Sequence, residues 1–302
     1  MAEGIVDSVL DLIGATPLVR LQRIAATSKA EICGKLEAMN PAGSVKDRAA
    51  WSMIRQAEQE GQIAAGATLI EATSGNTGIS LAMIAAVRGY RCIVVMPEDM
   101  SQSRREILRS YGAEVVLTPA AEGMAGAVKQ AEALLSDTPN AFMPRQFENA
   151  ANPQVHVETT AEEIWQATSG QIDAFVAGVG TGGTLTGVAR VLKSRLPKLL
   201  TVAVEPRGSA VLSGQGPGLH GIQGLGAGFV PPILERSLID RVVTVTDLAA
   251  DRMARRLARE EGLFVGISAG ANVHAALEVA QGLEAGQRVV TILCDTGERY
   301  LC

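Results

Sequence analysis

The chain has 302 residues, 47% of them hydrophobic, and its 27 basic and 32 acidic side chains leave a formal net charge of −5. A single core stops growing near roughly 250 to 300 residues, so two lobes are expected, and scattered lysines and arginines exclude nucleic acid, which needs a basic stripe. No stretch reaches the roughly 18 uncharged apolar residues of a membrane span, and the start, Met1 to Asp7, has no basic region leading into an apolar run; a cytoplasmic protein with no membrane partner is expected.

In chain order, the first segment with chemical content is Asn40-Pro-Ala-Gly-Ser-Val-Lys46-Asp-Arg48. Gly43 and Ser44 keep the approach narrow and flexible, and Val45 is an apolar neighbour that helps to desolvate the amine of Lys46. A desolvated lysine has the lowered pKa that an imine-forming amine needs. The alternative is a charged Lys-Asp-Arg helix start facing water. The β-rich run Thr68 to Ala72 then passes through Thr73-Ser-Gly-Asn-Thr-Gly78, whose backbone donors suit an anion, into a helix from about Ile79. Two further units follow: Arg91 to Met96 with a helix from Gln102 to Tyr111, and Glu114 to Leu117 with a helix from Gly123 to Leu135. Asn149-Ala-Ala-Asn-Pro153 breaks the pattern before a new helix and, with the Lys46 loop, is a plausible domain edge.

The pattern resumes with Ala174 to Val179, Thr201 to Val204 and Arg288 to Cys294. Strands alternating with helices of this length imply βαβ units, an α/β fold and mainly parallel sheets. Gly178-Val-Gly-Thr-Gly-Gly-Thr184 lies between an apolar strand and a helix from near Leu185. Glycines let backbone close around phosphate at a helix start, and Thr181 and Thr184 add hydroxyls where the loop has no Lys or Arg. The same stretch matches G-x-G-x-x-G, with Glu205 at the end of the next strand, 22 residues past Gly183. On this segment alone an NAD(P)-dependent or flavin dehydrogenase is a fair reading. It leaves Lys46 and the Thr73 to Gly78 loop without a job.

Gly266-Ile-Ser268-Ala-Gly270 matches a serine-hydrolase elbow, which needs an acid and then a histidine further on, and no histidine follows Asp295. His156, His220 and His274 show no ligand spacing, and Cys33, Cys92, Cys294 and Cys302 form no C-x-x-C pair. Reduced, buried thiols and no metal site are expected. A single ligand that needs an amine, a phosphate cradle and a carboxylate cradle accounts for all three segments. Pyridoxal phosphate, with an amino-acid substrate, is such a ligand.

These residues carry a family resemblance. The chain resembles the cysteine synthases, or O-acetylserine sulfhydrylases, of the tryptophan-synthase-β, fold type II class of pyridoxal-phosphate enzymes. The resemblance runs through Ile13 to Leu18, Asn40 to Arg48, Glu71 to Gly78, Met96-Pro97, Gln146-Phe147, Asn152-Pro153, Gly178 to Gly187, Ile222 to Phe229, Gly266 to Gly270 and Gly297 to Tyr300. It implies two lobes: residues 1–46 and 150–302 as the larger, cofactor-binding domain, and 47–149 as a smaller, mobile one that closes on the substrate. It also implies that Lys46 is the Schiff-base lysine and general base. Gly180, Thr181, Gly182, Gly183 and Thr184 are then the phosphate loop, Asn76 the partner of the cofactor's 3′-oxygen, and Ser268 that of the pyridine nitrogen. Thr73, Ser74, Gly75, Thr77 and Gln146 are the substrate-carboxylate pocket. A neutral serine at the ring nitrogen makes a weaker electron sink than an aspartate would, which suits elimination.

The implied reaction is β-replacement on O-acetyl-L-serine with sulfide or thiosulfate, through an aminoacrylate, giving L-cysteine and acetate. O-phosphoserine sulfhydrylase and cystathionine β-synthase-like chemistry share its core. Pro97 to Arg105 looks like the thiosulfate-using B type, whereas Ile222 to Phe229 looks more like the A type. Ala269 and Thr296 stand where the family often has serine. The chain ends at Cys302, where relatives continue with a further segment. A homodimer is implied, and serine acetyltransferase is a partner of some relatives.

Overall fold

Apolar runs of strand length alternating with longer amphipathic ones build ten strands and nine α-helices among residues 4–301, which this computed structural model describes. Cys302 lies outside the described residues. The elements are β1 (Leu18–Arg20), β2 (Glu31–Leu36), α1 (Lys46–Gln59), β3 (Thr68–Ala72), α2 (Asn76–Arg88), β4 (Arg91–Pro97), α3 (Gln102–Ser110), β5 (Glu114–Thr118), α4 (Gly123–Asp137), β6 (Ala141–Phe142), α5 (Ala151–Val155), α6 (Ala161–Thr168), β7 (Ala174–Gly178), α7 (Gly183–Arg195), β8 (Leu200–Pro206), β9 (Arg241–Val245), α8 (Asp247–Arg256), α9 (Ile267–Ala280) and β10 (Arg288–Leu293). A π-turn, His156–Thr160, joins α5 to α6.

The chain forms two compact units. The first takes Gly14–Val45 and the chain from Pro153 to the last described residue, and holds a sheet in the order β1-β2-β10-β7-β8-β9. Only the β1–β2 pair is antiparallel. Alternate residues feed two cores, as a strand's period of two requires. Val176, Val202 and Val204 pack toward Met253 and Val273, whereas Phe175, Ala203 and Val290 pack toward Leu185, Val188 and Ile164.

The second unit takes Lys46–Asn152 and the N-terminal residues up to Ile13. Its sheet, β5-β4-β3-β6, is wholly parallel. Ile70, Ile93 and Val95 pack on Ala127 and Ala131 of α4. The sequence-based edges at 46/47 and 149/150 thus differ from the contacts, which divide at Val45/Lys46 and Asn152/Pro153. The N-terminal residues join the second unit because the turn Val9–Leu12 packs on α2 and buries Leu10. Pro153 also lies inside α5, not before it; it occupies the helix's first turn, where a missing N–H costs nothing.

A buried polar chain organises the approach to Lys46 within the first unit. Lys35, 1% exposed, donates to the carbonyl of Thr16, to its hydroxyl at 2.8 Å and to Glu163 at 2.5 Å. The Thr16 hydroxyl donates to Glu37 at 2.7 Å, Glu37 accepts from the Asn40 amide at 2.8 Å, and Asn40 accepts from the Gly14 N–H at 2.8 Å. Gly14 and Ala15 have φ of 93° and 47°, a left-handed stretch that Asn40 and Glu163 hold by its N–H groups. Removing the Lys35 amine leaves the buried Thr16 carbonyl and the polar groups linked to it without their cation. Lys35→Ala is therefore expected to lower stability by about 3 kcal/mol or more, read as a drop in the urea midpoint at unchanged slope; a midpoint within error of wild type would contradict the role given to this chain.

Candidate functional site

Lys46 opens α1 directly after Val45, whose N–H donates to the carbonyl of Cys294 at 2.8 Å. Asp47 and Arg48 are fully buried, and Asp47 accepts from the Ser80 hydroxyl at 2.5 Å. A charged helix start facing water is thereby excluded. Ser80 also donates to the carbonyl of Asn76 at 3.0 Å, so the start of α1 is tied to the first turn of α2.

That first turn begins earlier than the sequence implied, at Asn76 instead of Ile79, because Gly75 is the N-cap and offers no side-chain cap. The first-turn N–H groups of a helix have no intrahelical partner, and an uncapped start presents them to a ligand. Thr73 is buried and holds the turn into α2: its N–H donates to Val95 at 3.0 Å, and its hydroxyl accepts from the Gly75 N–H at 3.2 Å. The half-buried Ser74 is fixed by its carbonyl, which accepts from Arg104 at 3.0 Å.

The Thr77 hydroxyl donates to Gln146 Oε1 at 2.6 Å. This orients the Gln146 amide so that Nε2 carries its hydrogens away from Thr77. Gln146 is only 6% exposed, yet Nε2 has no hydrogen-bond partner among the described residues. The structure thus brings Thr73, Ser74, Gly75, Asn76, Thr77 and Gln146 together in one unit with Lys46. Neutral donors beside an uncapped helix start suit a small carboxylate.

Glu71, on β3 two residues before Thr73, is a residue to which the sequence reading assigned no role. Burial pushes its carboxyl up to about 7, while the N–H groups of Arg145 and Gln146 pull the other way. A signal was present: a lone carboxylate inside the apolar run Thr68 to Ala72. The folded chain holds this proton to about pH 7, whereas an unfolded glutamate releases it near 4.5, so the group's contribution to stability falls as pH rises through that window and is flat above it. Relative to wild type, Glu71→Gln is expected to gain on the order of 3 kcal/mol between those limits, measured by denaturant unfolding at several pH values. A difference independent of pH would contradict the assignment.

In the first unit, β7 runs into the glycine loop and α7 begins at Gly183, with Gly182 as N-cap at φ +85°. A Cβ on Gly180 would lie 2.2 Å from the carbonyl oxygen of Gly224, so only glycine lets these two backbones meet. The same contact seats the Ile222 to Phe229 segment on the loop, and the Gly226 N–H donates to Val179 at 2.9 Å. Thr181 is buried and its hydroxyl accepts from the Gly183 N–H at 3.4 Å. The Thr184 hydroxyl meets His156 Nε2 at 3.2 Å, and the other ring nitrogen meets Thr160 at 2.9 Å. His156 sits in the π-turn and buttresses the loop from 28 residues away, a role with no local sequence signal.

Glu205, which made this loop resemble a dinucleotide fingerprint, is committed elsewhere. Its carboxylate accepts the N–H groups of Leu212 and Ser213 at 2.8 and 2.9 Å and the Ser213 hydroxyl at 2.6 Å. It turns the chain after β8 and is not free to hold a ribose. Ser268 lies in the first turn of α9, 3% exposed, and its hydroxyl has no hydrogen-bond partner among the described residues.

In the first unit, an uncommitted buried hydroxyl at one helix start and a glycine-only loop at another suit pyridoxal phosphate; in the second, open amide donors beside a helix start suit an amino-acid carboxylate. Among the described residues no cluster of His, Cys, Asp and Glu could hold a metal ion, and no helix is long and apolar enough to cross a membrane. Burial pushes the Cys33 thiol up to about 11 and that of Cys92 to about 12, so both stay protonated; Cys294 is half-buried and its sulfur accepts from the Asn272 amide at 3.4 Å.

Comparison with known proteins places this geometry among relatives. The family described as pyridoxal-phosphate dependent enzyme matches residues 9–295. A cysteine synthase of Staphylococcus aureus is 51% identical over 302 residues, which is 100% of this chain and 97% of that protein. An O-ureido-L-serine synthase structure superposes with a TM-score of 0.96 at 47% identity, covering 99% of this chain and 94% of the other. A cysteine synthase structure from Entamoeba histolytica gives 0.95 at 40% identity, covering 99% and 90%.

Proposed function

The chain belongs to the pyridoxal-phosphate dependent enzyme family, and from that premise we propose that it catalyses β-replacement on O-acetyl-L-serine, sulfide taking the place of acetate to give L-cysteine. The observation that carries the substrate is the Gln146 amide, oriented by Thr77 at 2.6 Å and left with open donors beside the uncapped start of α2. A substrate carboxylate completes those donors.

Pyridoxal phosphate, when bound, supplies the electron sink that makes the α-proton of an amino acid removable. Lys46 Nζ would hold the cofactor, the N–H groups of residues 181–184 its phosphate, Asn76 its 3′-oxygen, and Ser268 its ring nitrogen. Thr73, Ser74, Gly75, Thr77 and Gln146 bind the substrate carboxylate and aim its Cα–H at Lys46. Lys46 Nζ takes the α-proton as acetate leaves Cβ, and returns a proton to Cα once sulfide has added at Cβ. The neutral hydroxyl of Ser268 leaves the ring nitrogen without a carboxylate to keep it protonated, which favours elimination over racemisation. A homodimer acting in the cytoplasm belongs to the same proposal and rests on the resemblance of the sequence. A complex with serine acetyltransferase belongs to it on the same ground.

The loaded protein is expected to show a visible absorbance band that shifts on adding O-acetylserine and is restored by sulfide. Lys46→Ala is expected to lack that band and to lose at least about a hundredfold in kcat. Protein that stays colourless after incubation with pyridoxal phosphate, or a band indifferent to O-acetylserine, would sink the proposal.

A further inference from the structure

We infer that Glu71 is a positioning residue for the substrate carboxylate, clamping the peptide between Arg145 and Gln146 so that the Gln146 amide faces its ligand. The inference rests on the carboxylate pocket proposed above and adds the residue that holds it in shape. β6 pairs with β3 only through Ala141 and Phe142, after which the chain leaves the sheet and loses its ladder partner. The Glu71 side chain takes over at that point. Its Oε2 accepts the Arg145 N–H at 3.1 Å, and the Gln146 N–H interacts with the same carboxylate.

Arg145 has φ +53°, a left-handed conformation that a side chain larger than glycine adopts only when its surroundings impose it. The other face of the same short segment is pinned as well: the Gln146 carbonyl accepts from the buried Asn152 amide at 2.8 Å. Gln146 is thus fixed at its N–H by Glu71, at its carbonyl by Asn152 and at its side chain by Thr77. Glu71 itself cannot wander, because β3 is an inner strand and pairs with β4 through Glu71 and Val94. One strand therefore sets both walls of the pocket: it runs on into Thr73 and Ser74, and it grips Gln146 through Glu71. A buried carboxylate is a costly way to hold two N–H groups. Its retention here makes sense if the position of Gln146 matters more than the stability given up.

The test is a double-mutant cycle on the full-length, cofactor-loaded enzyme, with amide hydrogen exchange as a readout independent of turnover. Glu71→Gln keeps the shape and removes one acceptor. It is expected to raise KM for O-acetylserine about tenfold while kcat falls less than about threefold, and to speed exchange of the Arg145 and Gln146 amides. In a Gln146→Ala background the same change is expected to add nothing further to KM, since the two residues act through one contact. Unchanged exchange at those amides, or a KM effect that persists in full without Gln146, overturns the proposal. Should the amide variant fail to fold, Glu71→Asp, which keeps the charge and shortens the reach, carries the same expectations. If wild type turns over no O-acetylserine the functional reading fails, and exchange at residues 145 and 146 still decides whether the clamp exists.

Discussion

The path to Lys46 is set by a polar chain anchored on the buried Lys35 and Glu37. Lys35 is buried against Thr16 and Glu163, Thr16 passes a hydrogen bond to Glu37, and Glu37 holds Asn40, the residue that begins the loop ending at Lys46. Each group is satisfied only while its neighbour stays in place, and the cost of a buried unpaired charge makes the arrangement all-or-none. That cost holds the left-handed Gly14–Ala15 step and the Asn40 turn together. The amine of Lys46 is thereby delivered by a rigid segment, and the backbone hydrogen bond from Val45 to Cys294 fixes its last link.

The same logic of committed partners separates the ligand groups from the framework. Glu205 looks like a functional carboxylate in the sequence, and it is engaged by its own chain, as are the buried Asp47 and Glu37. The Gln146 amide and the Ser268 hydroxyl, which the resemblance singles out, are each buried with donors or acceptors to spare. In the proposed site, helix starts and neutral side chains would meet the anions. Neutral donors bind a carboxylate or phosphate without shifting the proton affinity of a nearby lysine as strongly as a second cation would. A lysine that must act as a base benefits from that restraint.

The architecture was readily legible. Parallel strands buried on both faces appear as continuous apolar runs, so β4, β7, β8 and β10 were located to within a residue or two. The start of α2 was missed by three residues because its cap is Gly75, with no Ser, Thr, Asp or Asn hydroxyl or carboxylate performing the usual cap bond. The break read at Asn149 to Pro153 coincides with the division at Asn152/Pro153, while α5 starts two residues before the proline because proline is also at home in a helix's first turn. Within the site, the motifs were visible where function needs a local run of small residues, as in Thr73 to Gly78 and Gly180 to Thr184. The supports were not: Glu71 meets Arg145 across 74 residues and His156 meets Thr184 across 28, separations that no local pattern records. The apparent dinucleotide fingerprint misled for the same reason, since spacing cannot show that Glu205 turns back on Leu212 and Ser213.

In the proposed site an amino-acid carboxylate is held by the Gln146 amide and the start of α2. A crystal structure of the Lys46→Ala protein with pyridoxal phosphate and O-acetylserine bound tests it most directly. The substrate carboxylate is expected within hydrogen-bond distance of Gln146 Nε2 and of first-turn N–H groups of α2, with the Thr77 to Gln146 bond intact. A carboxylate resting on an arginine or lysine elsewhere, with Gln146 turned away from it, would contradict it.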